Sequence, residues 1–341
     1  MFDLSKYIEI EENSIVVLMK FGSLLYGTAT ENSDLDYKGV FIPTEREVLL
    51  GKIPKSISYS SKKGNLKKNT KDDIDIEIYS LHYFLKLAIE GQTVAMDMLH
   101  APEDFLDISS DIWIDLISNK KRFYTKNLKA FIGYARRQAA KYGIKGSRLN
   151  AAKTMIEFLS EYEDSTRLSE VWDKIPFGEH IYIIPSAPND IKQLQICGKK
   201  FQETCTVKYI RDIIERFYKE YGKRAQMAAN NEGLDWKALS HALRAAFQIR
   251  ELLLSNNITF PLKQADYLVE VKLGHRDFCT EVSPLLDTLM DEVEDLAAQS
   301  NLPLHVDKKF WEDWLVETLK RYWKMREESR WLKSVSRVER T

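Results

Sequence analysis

The chain has 341 residues, with 50 basic and 51 acidic side chains and a formal net charge of −1. Hydrophobic residues make up 44% and charged residues 30%, the balance of a folded protein of roughly two domains, which excludes a disordered or collagen-like chain. Near-neutrality removes any global pull toward nucleic acid or anionic membranes, so such attraction must come from local clusters.

Strand signals come first along the chain. Residues 14–21 (SIVVLMKF) are a short apolar run ending at Gly22, the pattern of a buried strand. Residues 34–42 (DLDYKGVFI) follow a polar turn and stop at Pro43. Residues 60–71 (SSKKGNLKKNTK) are lysine-rich and polar and read as a loop. Residues 74–79 (IDIEIY) alternate strictly, with Asp75 and Glu77 on one face and Ile74, Ile76 and Ile78 on the other. Ser80 then stands as the N-cap of a helix carrying Leu81, Phe84, Leu85, Ala88 and Ile89.

Beyond about residue 105 the pattern turns helical, over 116–142, 206–228, 236–255 and 310–331, the last with a packing stripe of Trp311, Trp314, Leu315 and Leu319. Alternating runs over 180–206, broken at Gly198, predict a small β-hairpin inserted among the helices. The expected architecture is an α/β domain over 1–105, a short mixed sheet flanked by helices, followed by a mainly α domain over 106–341 carrying that insertion. No apolar run is long enough to cross a bilayer, and the N-terminus is too acidic and interrupted for a signal peptide. Three scattered cysteines (Cys197, Cys205, Cys279) argue against a disulfide framework or zinc ribbon, and the expectation is a cytoplasmic protein.

The segment 20–43, KFGSLLYGTATENSDLDYKGVFIP, carries the chemistry. Gly22 permits a tight exit from the first strand and lets backbone N–H groups approach a phosphate, and Ser23 adds a hydroxyl beside them. Asp34 and Asp36 stand two apart on a strand, so their carboxylates share a face and can share divalent metals. Hard oxygen ligands select Mg²⁺ or Mn²⁺. A third carboxylate would come from a neighbouring strand, as Asp75 or Glu77. Three acids beside a Gly-Ser turn describe a two-metal phosphoryl or nucleotidyl transfer site. A P-loop is excluded, because Thr28 and Ala29 occupy the positions that its lysine and hydroxyl residue require.

Gly22-Ser23, ten residues, then Asp34-x-Asp36 resembles the signature of the DNA polymerase β-type nucleotidyltransferase superfamily. More closely, Gly22-Ser23-x-x-Tyr26-Gly27-Thr28 with Ser33-Asp34-x-Asp36-Tyr37-x-Gly39-Val40 resembles the YcgL-like nucleotidyltransferases of bacteria and phages. Stretches at 75–87, 131–141 and 241–244 agree with that group. The resemblance implies that Asp34, Asp36 and Asp75 bind Mg²⁺ or Mn²⁺ and carry catalysis. It further implies that Gly22, Ser23 and Tyr26 bind an NTP such as ATP, with His241 and Arg244 as further pocket residues. Asp75 fits the third position better than Glu77.

Residues 116–156 contain eleven Lys or Arg and no Asp or Glu. On a helix, Arg122, Lys126, Lys129, Arg136, Arg137 and Lys141 fall on one arc of about 140°, opposite an apolar face. A solvated face normally mixes signs, so a basic helix over 120–148 points to a polyanion. Arg136 and Lys141 are thereby expected at the nucleotide, and an RNA or other nucleic-acid acceptor is the expected partner. The expected reaction is transfer of NMP from an NTP to an acceptor hydroxyl, releasing pyrophosphate. The alternatives are an antitoxin-like enzyme that AMPylates a protein partner, and a non-catalytic nucleic-acid-binding protein with a degenerate site.

Overall fold

The computed structural model describes residues 2–31, 33–61, 73–127, 146–184, 191–229, 231 and 233–338. Two compact units emerge, the first built from Met1–Arg137, Trp236–His275 and Leu285–Thr341 and the second from Gln138–Asp235 and Arg276–Pro284.

In the first unit the apolar run before Gly22 forms β1 (Ile15–Lys20), buried along nearly its whole length. The single-turn α1 (Gly22–Tyr26) follows and closes on Gly27, whose φ of +75° ends the helix. After it come β2 (Leu35–Phe41), α2 (Glu45–Leu49), β3 (Ser56–Ser60) and β4 (Ile74–Ser80). Next are α3 (Leu81–Ile89), capped by the Ser80 hydroxyl, α4 (Thr93–Leu99), β5 (Leu106–Ser109) and α5 (Asp111–Ser118). The five strands make one mixed sheet in the order β3-β4-β2-β1-β5, parallel only between β2 and β4. Alternation does its expected work, for Leu18, Tyr37, Phe41, Ile76 and Ile78 meet Leu4 and Ile8 in one apolar cluster.

The basic stretch begins differently from its periodicity. α5 stops at Ser118, where the Asn119 side chain donates back to the Asp115 carbonyl at 3.0 Å, and Lys120–Phe123 form a 3₁₀ turn. Phe123 and Tyr124 are both buried, and Phe123 stacks on Trp311 at 3.9 Å. Burying these rings takes the chain out of the helix that the charge pattern predicts from residue 116. Residues 128–145, with Lys129, Arg136, Arg137 and Lys141, lie outside the described residues, as do the lysines of 62–71.

Later helices return to the first unit: α8 (Trp236–Ser255), α9 (Ala265–Leu273), most of α10 (Ser283–Gln299) and α11 (Lys308–Val338), numbered after α6 (Gly146–Leu159) and α7 (Val207–Ala229) of the second unit. Trp311 and Leu319 are buried as their stripe predicts, and the Trp314 indole donates to Asp115 at 2.9 Å. A division at residue 105 therefore does not match the compact units, because β5 pairs with β1 from beyond it and α8, α9 and α11 fold with the sheet.

The second unit has its own core, in which Met155 and Leu159 of α6, Trp172, and Val207, Ile210 and Ile214 of α7 are buried together. The inserted β element is three-stranded rather than a single hairpin: β6 (Ile181–Ile184), β7 (Gln193–Ile196) and β8 (Lys199–Gln202), all antiparallel. Cys197-Gly198, both at positive φ, make the two-residue turn between the last two strands. Among the described residues no helix is long and apolar enough to cross a membrane.

One buried histidine gives the fold a pH dependence. The His100 Nδ1–H donates to the Met96 carbonyl at 2.7 Å, and Nε2 accepts from the Tyr124 hydroxyl at 2.8 Å. Burial lowers its pKa to about 4 from the ordinary 6.5, helped by Lys120 and opposed by the bond to Met96. The unfolded chain then binds a proton between those values that the folded chain refuses, so stability falls as pH drops from 6.5 toward 4. The loss is at most about 3 kcal/mol. Urea titrations at pH 7 and pH 4.5 should show a smaller difference for His100→Gln than for the unaltered protein.

Candidate active site

The Gly-Ser turn and the Asp-x-Asp strand meet as the sequence predicts. The Phe21 N–H donates to the Asp36 carbonyl at 2.8 Å, tying the exit of β1 to β2. Gly22 has φ +62°, and a Cβ placed on it would lie 2.0 Å from Asp36 Oδ2. Glycine is required here twice over, for backbone conformation and for the space that the carboxylate occupies.

Parallel pairing of β2 and β4 puts Asp36 opposite Asp75 and Lys38 opposite Glu77. Carboxylate oxygens of Asp34, Asp36 and Asp75 all lie within 4.8 Å of one another. Burial raises the Asp36 pKa, with further upward pushes from Asp34 and Asp75 that Lys38 only partly offsets. A cluster of half-buried, mutually repelling hard oxygen donors is the donor set that suits Mg²⁺ or Mn²⁺.

Glu77, the rival third acid, is engaged elsewhere. It pairs with Lys38 at 2.6 Å and accepts from the Tyr79 hydroxyl at 2.6 Å. Burial works against its charge, yet Lys38, Tyr79 and Ser56 outweigh it and hold the carboxyl below the usual range.

Beside Asp34 and Asp36 opens a cavity of about 270 Å³, lined also by Gly22, Ser23, Tyr26 and Thr28. The Ser23 hydroxyl is buried without a hydrogen-bond partner among the described residues. The facing wall comes from α8 and α9, with Lys237, His241 and Arg244 on one helical face and Lys272 beside them. Burial lowers the Lys272 pKa, reinforced by the like charge of Lys237 and opposed by Asp34 and Asp36. Lys237, Arg244 and Lys272 thus stand on the helical side of the cavity, and Asp34 and Asp36 on the sheet side together with Lys38, which is paired with Glu77.

Tyr26 differs from a simple nucleotide contact. It lines the cavity, but its hydroxyl donates to the buried Asp97 at 2.8 Å. Arg244 lies over the Tyr26 ring at 3.8 Å and reaches the same carboxylate at 3.3 Å, and Gln248 donates to it at 2.8 Å. Close packing joins the same parts, since a Cβ on Gly27 would lie 2.8 Å from Pro261 Cβ, and the Leu262 N–H donates to the Tyr26 carbonyl at 3.2 Å.

Of the residues expected at the nucleotide, Gly22, Ser23, Tyr26, His241 and Arg244 share this cavity, whereas Arg136 and Lys141 lie outside the described residues. Lys237 and Lys272 were missed. Lys237 carries a usable signal, four residues before His241 on the face that continues to Arg244; Lys272 carries none in sequence.

Residues 2–157 match the model of the family described as the RNA repair pathway DNA polymerase beta family. An uncharacterised 38.9 kDa protein from the nrdC–mobD intergenic region of Enterobacteria phage T4 is 37% identical over 322 residues. That alignment spans 88% of this chain and 95% of the phage protein. No solved structure matches significantly. With its Gly-Ser turn set against paired aspartates on a mixed sheet, the chain belongs to the DNA polymerase β-type nucleotidyltransferase superfamily.

Proposed function

We propose that the protein transfers an NMP unit from an NTP to an acceptor hydroxyl, releasing pyrophosphate, and that the acceptor is RNA. The convergence of Asp34, Asp36 and Asp75, the first two of them in one cavity with Lys237, Arg244 and Lys272, carries this reading. Asp34, Asp36 and Asp75 would hold the divalent cations. When bound, such cations supply Lewis-acid stabilisation of phosphoryl oxygens and ease ionisation of the acceptor hydroxyl.

The chain's own groups do the rest. The Ser23 hydroxyl donates to a phosphate oxygen, while Lys237, Lys272 and Arg244 neutralise the triphosphate and the departing pyrophosphate. Asp75 takes the acceptor's proton as the new oxygen–phosphorus bond forms and the bond to pyrophosphate breaks. The RNA assignment is supported by the family's description, which names an RNA repair pathway, and by the unmixed positive charge of 116–156.

Incubation with each α-labelled NTP, Mg²⁺ or Mn²⁺, and RNA tests the reaction, with label expected on RNA. Label on protein, or on neither, overturns it. Lys272→Ala should raise KM for the NTP about tenfold, the size of one lost charge-assisted phosphate contact, measured by steady-state kinetics.

A further inference from the structure

The polar face of the sheet continues past the three aspartates. Across β2, β4 and β3, Asp36, Asp75 and Ser60 stand in one row, and Lys38, Glu77 and Ser58 stand in the next. Residues paired across strands share a face. The alternate positions Tyr37, Ile76 and Tyr59 belong to the apolar cluster on the other face. On the polar side lies a second cleft of about 260 Å³, which Asp36, Lys38, Ser58, Ser60, Asp75 and Glu77 line. It shares Asp36 and Lys38 with the nucleotide cavity, but Asp75 lines this cleft and not the other.

We propose that this strip is the acceptor track, seating the sugar–phosphate end of an RNA strand with its terminal hydroxyl at Asp75 and its preceding backbone running over Ser60 and Ser58 to the sheet edge. The assignment rests on the transfer reaction above and adds where the acceptor lies and which groups hold it.

Three observations carry it. Transfer needs two substrates to reach the same carboxylates from different directions, and the cationic wall marks the first cavity as the triphosphate side. The strip beyond the aspartates also holds no uncompensated anion to repel a phosphate, because Glu77 is paired with Lys38 and accepts from Tyr79 and Ser56. Finally, Ser58 and Ser60 are small, exposed hydroxyl residues on a strand at the sheet's edge, where a long acceptor can run on past the aspartates. Such hydroxyls bond to phosphate and to ribose 2′-OH groups. A peptide acceptor would want an apolar anchor, and the outward side chains of these two rows are all polar.

Replacing Ser58 by photoreactive benzoylphenylalanine, with the same replacement at exposed Ile114 of α5 as control, tests the placement. An end-labelled RNA oligonucleotide should crosslink through its 3′-terminal nucleotides at position 58 and not at 114. In parallel, Ser58→Trp should raise KM for RNA at least tenfold while KM for the NTP changes less than twofold. Aromatic residues suit edge strands, and circular dichroism checks the fold. RNA labelled by the unaltered protein without a crosslink at 58, or with an unchanged RNA KM in Ser58→Trp, overturns the track and leaves the reaction standing. Label on a protein overturns the track in favour of a protein acceptor. Absence of any transfer by the unaltered protein overturns the reaction itself, whereas the crosslink reports on RNA placement without turnover.

Discussion

Asp36→Asn should lower nucleotide transfer about a thousandfold or more, equivalent to about 4 kcal/mol of transition-state stabilisation, while making the metal-free protein no less stable. The two effects have one cause. Asp36 sits half-buried between Asp34 and Asp75, and the repulsion that raises its pKa is a stability cost the fold carries in order to present three carboxylates together. Asparagine keeps the shape beside Gly22, removes one charge and relieves that repulsion. Thermal unfolding without metal should show an unchanged or raised Tm. Addition of Mg²⁺ should stabilise the unaltered protein by mass action and the variant much less. A variant that lost activity and stability together would point to a structural role for Asp36 and against the metal-holding one.

Asp97→Ala should cost about 3–5 kcal/mol, the loss expected when one partner of a buried charge pair is removed. Asp97 is 1% exposed and accepts from Tyr26, Arg244 and Gln248. Deleting it takes the acceptor from the Tyr26 phenol and the Gln248 amide and removes the carboxylate that pairs with Arg244. Asp97→Asn should cost less, because the amide oxygen still accepts from some of those donors. Denaturant unfolding measures both. Because Arg244 and Tyr26 also line the nucleotide cavity, NTP affinity should fall in the same order, asparagine before alanine.

The parts of the site that sequence reveals are those the chain itself brings together. The Gly22-Ser23 turn and the Asp34-x-Asp36 strand lie within one short segment, and strict alternation over 74–79 places Asp75 on the polar face. Choosing Asp75 over Glu77 needs the register, because one row of the sheet joins Asp75 to Asp36 and the next commits Glu77 to Lys38. The cationic wall was only partly legible, since helical spacing links Lys237, His241 and Arg244 but no local pattern says that α8 and α9 return to the sheet. The family resemblance is what puts Tyr26 at the nucleotide; its hydroxyl goes to Asp97, some seventy residues on, which no spacing foretells. The helix expected over 116–142 departs from that reading in its described part, 116–127, for a different reason. Burial of Phe123 and Tyr124 against distant aromatics overrode a local periodicity.

The first unit is assembled from three separated stretches of chain. A growing polypeptide released only as far as Arg137 already contains all three aspartates, yet none of Lys237, Arg244 or Lys272 that would hold a triphosphate against them. Under the proposed assignment, substrate capture waits until the ribosome has delivered α9, and the buried core of the second unit, which runs from Ala152 to Ile214, is complete before then.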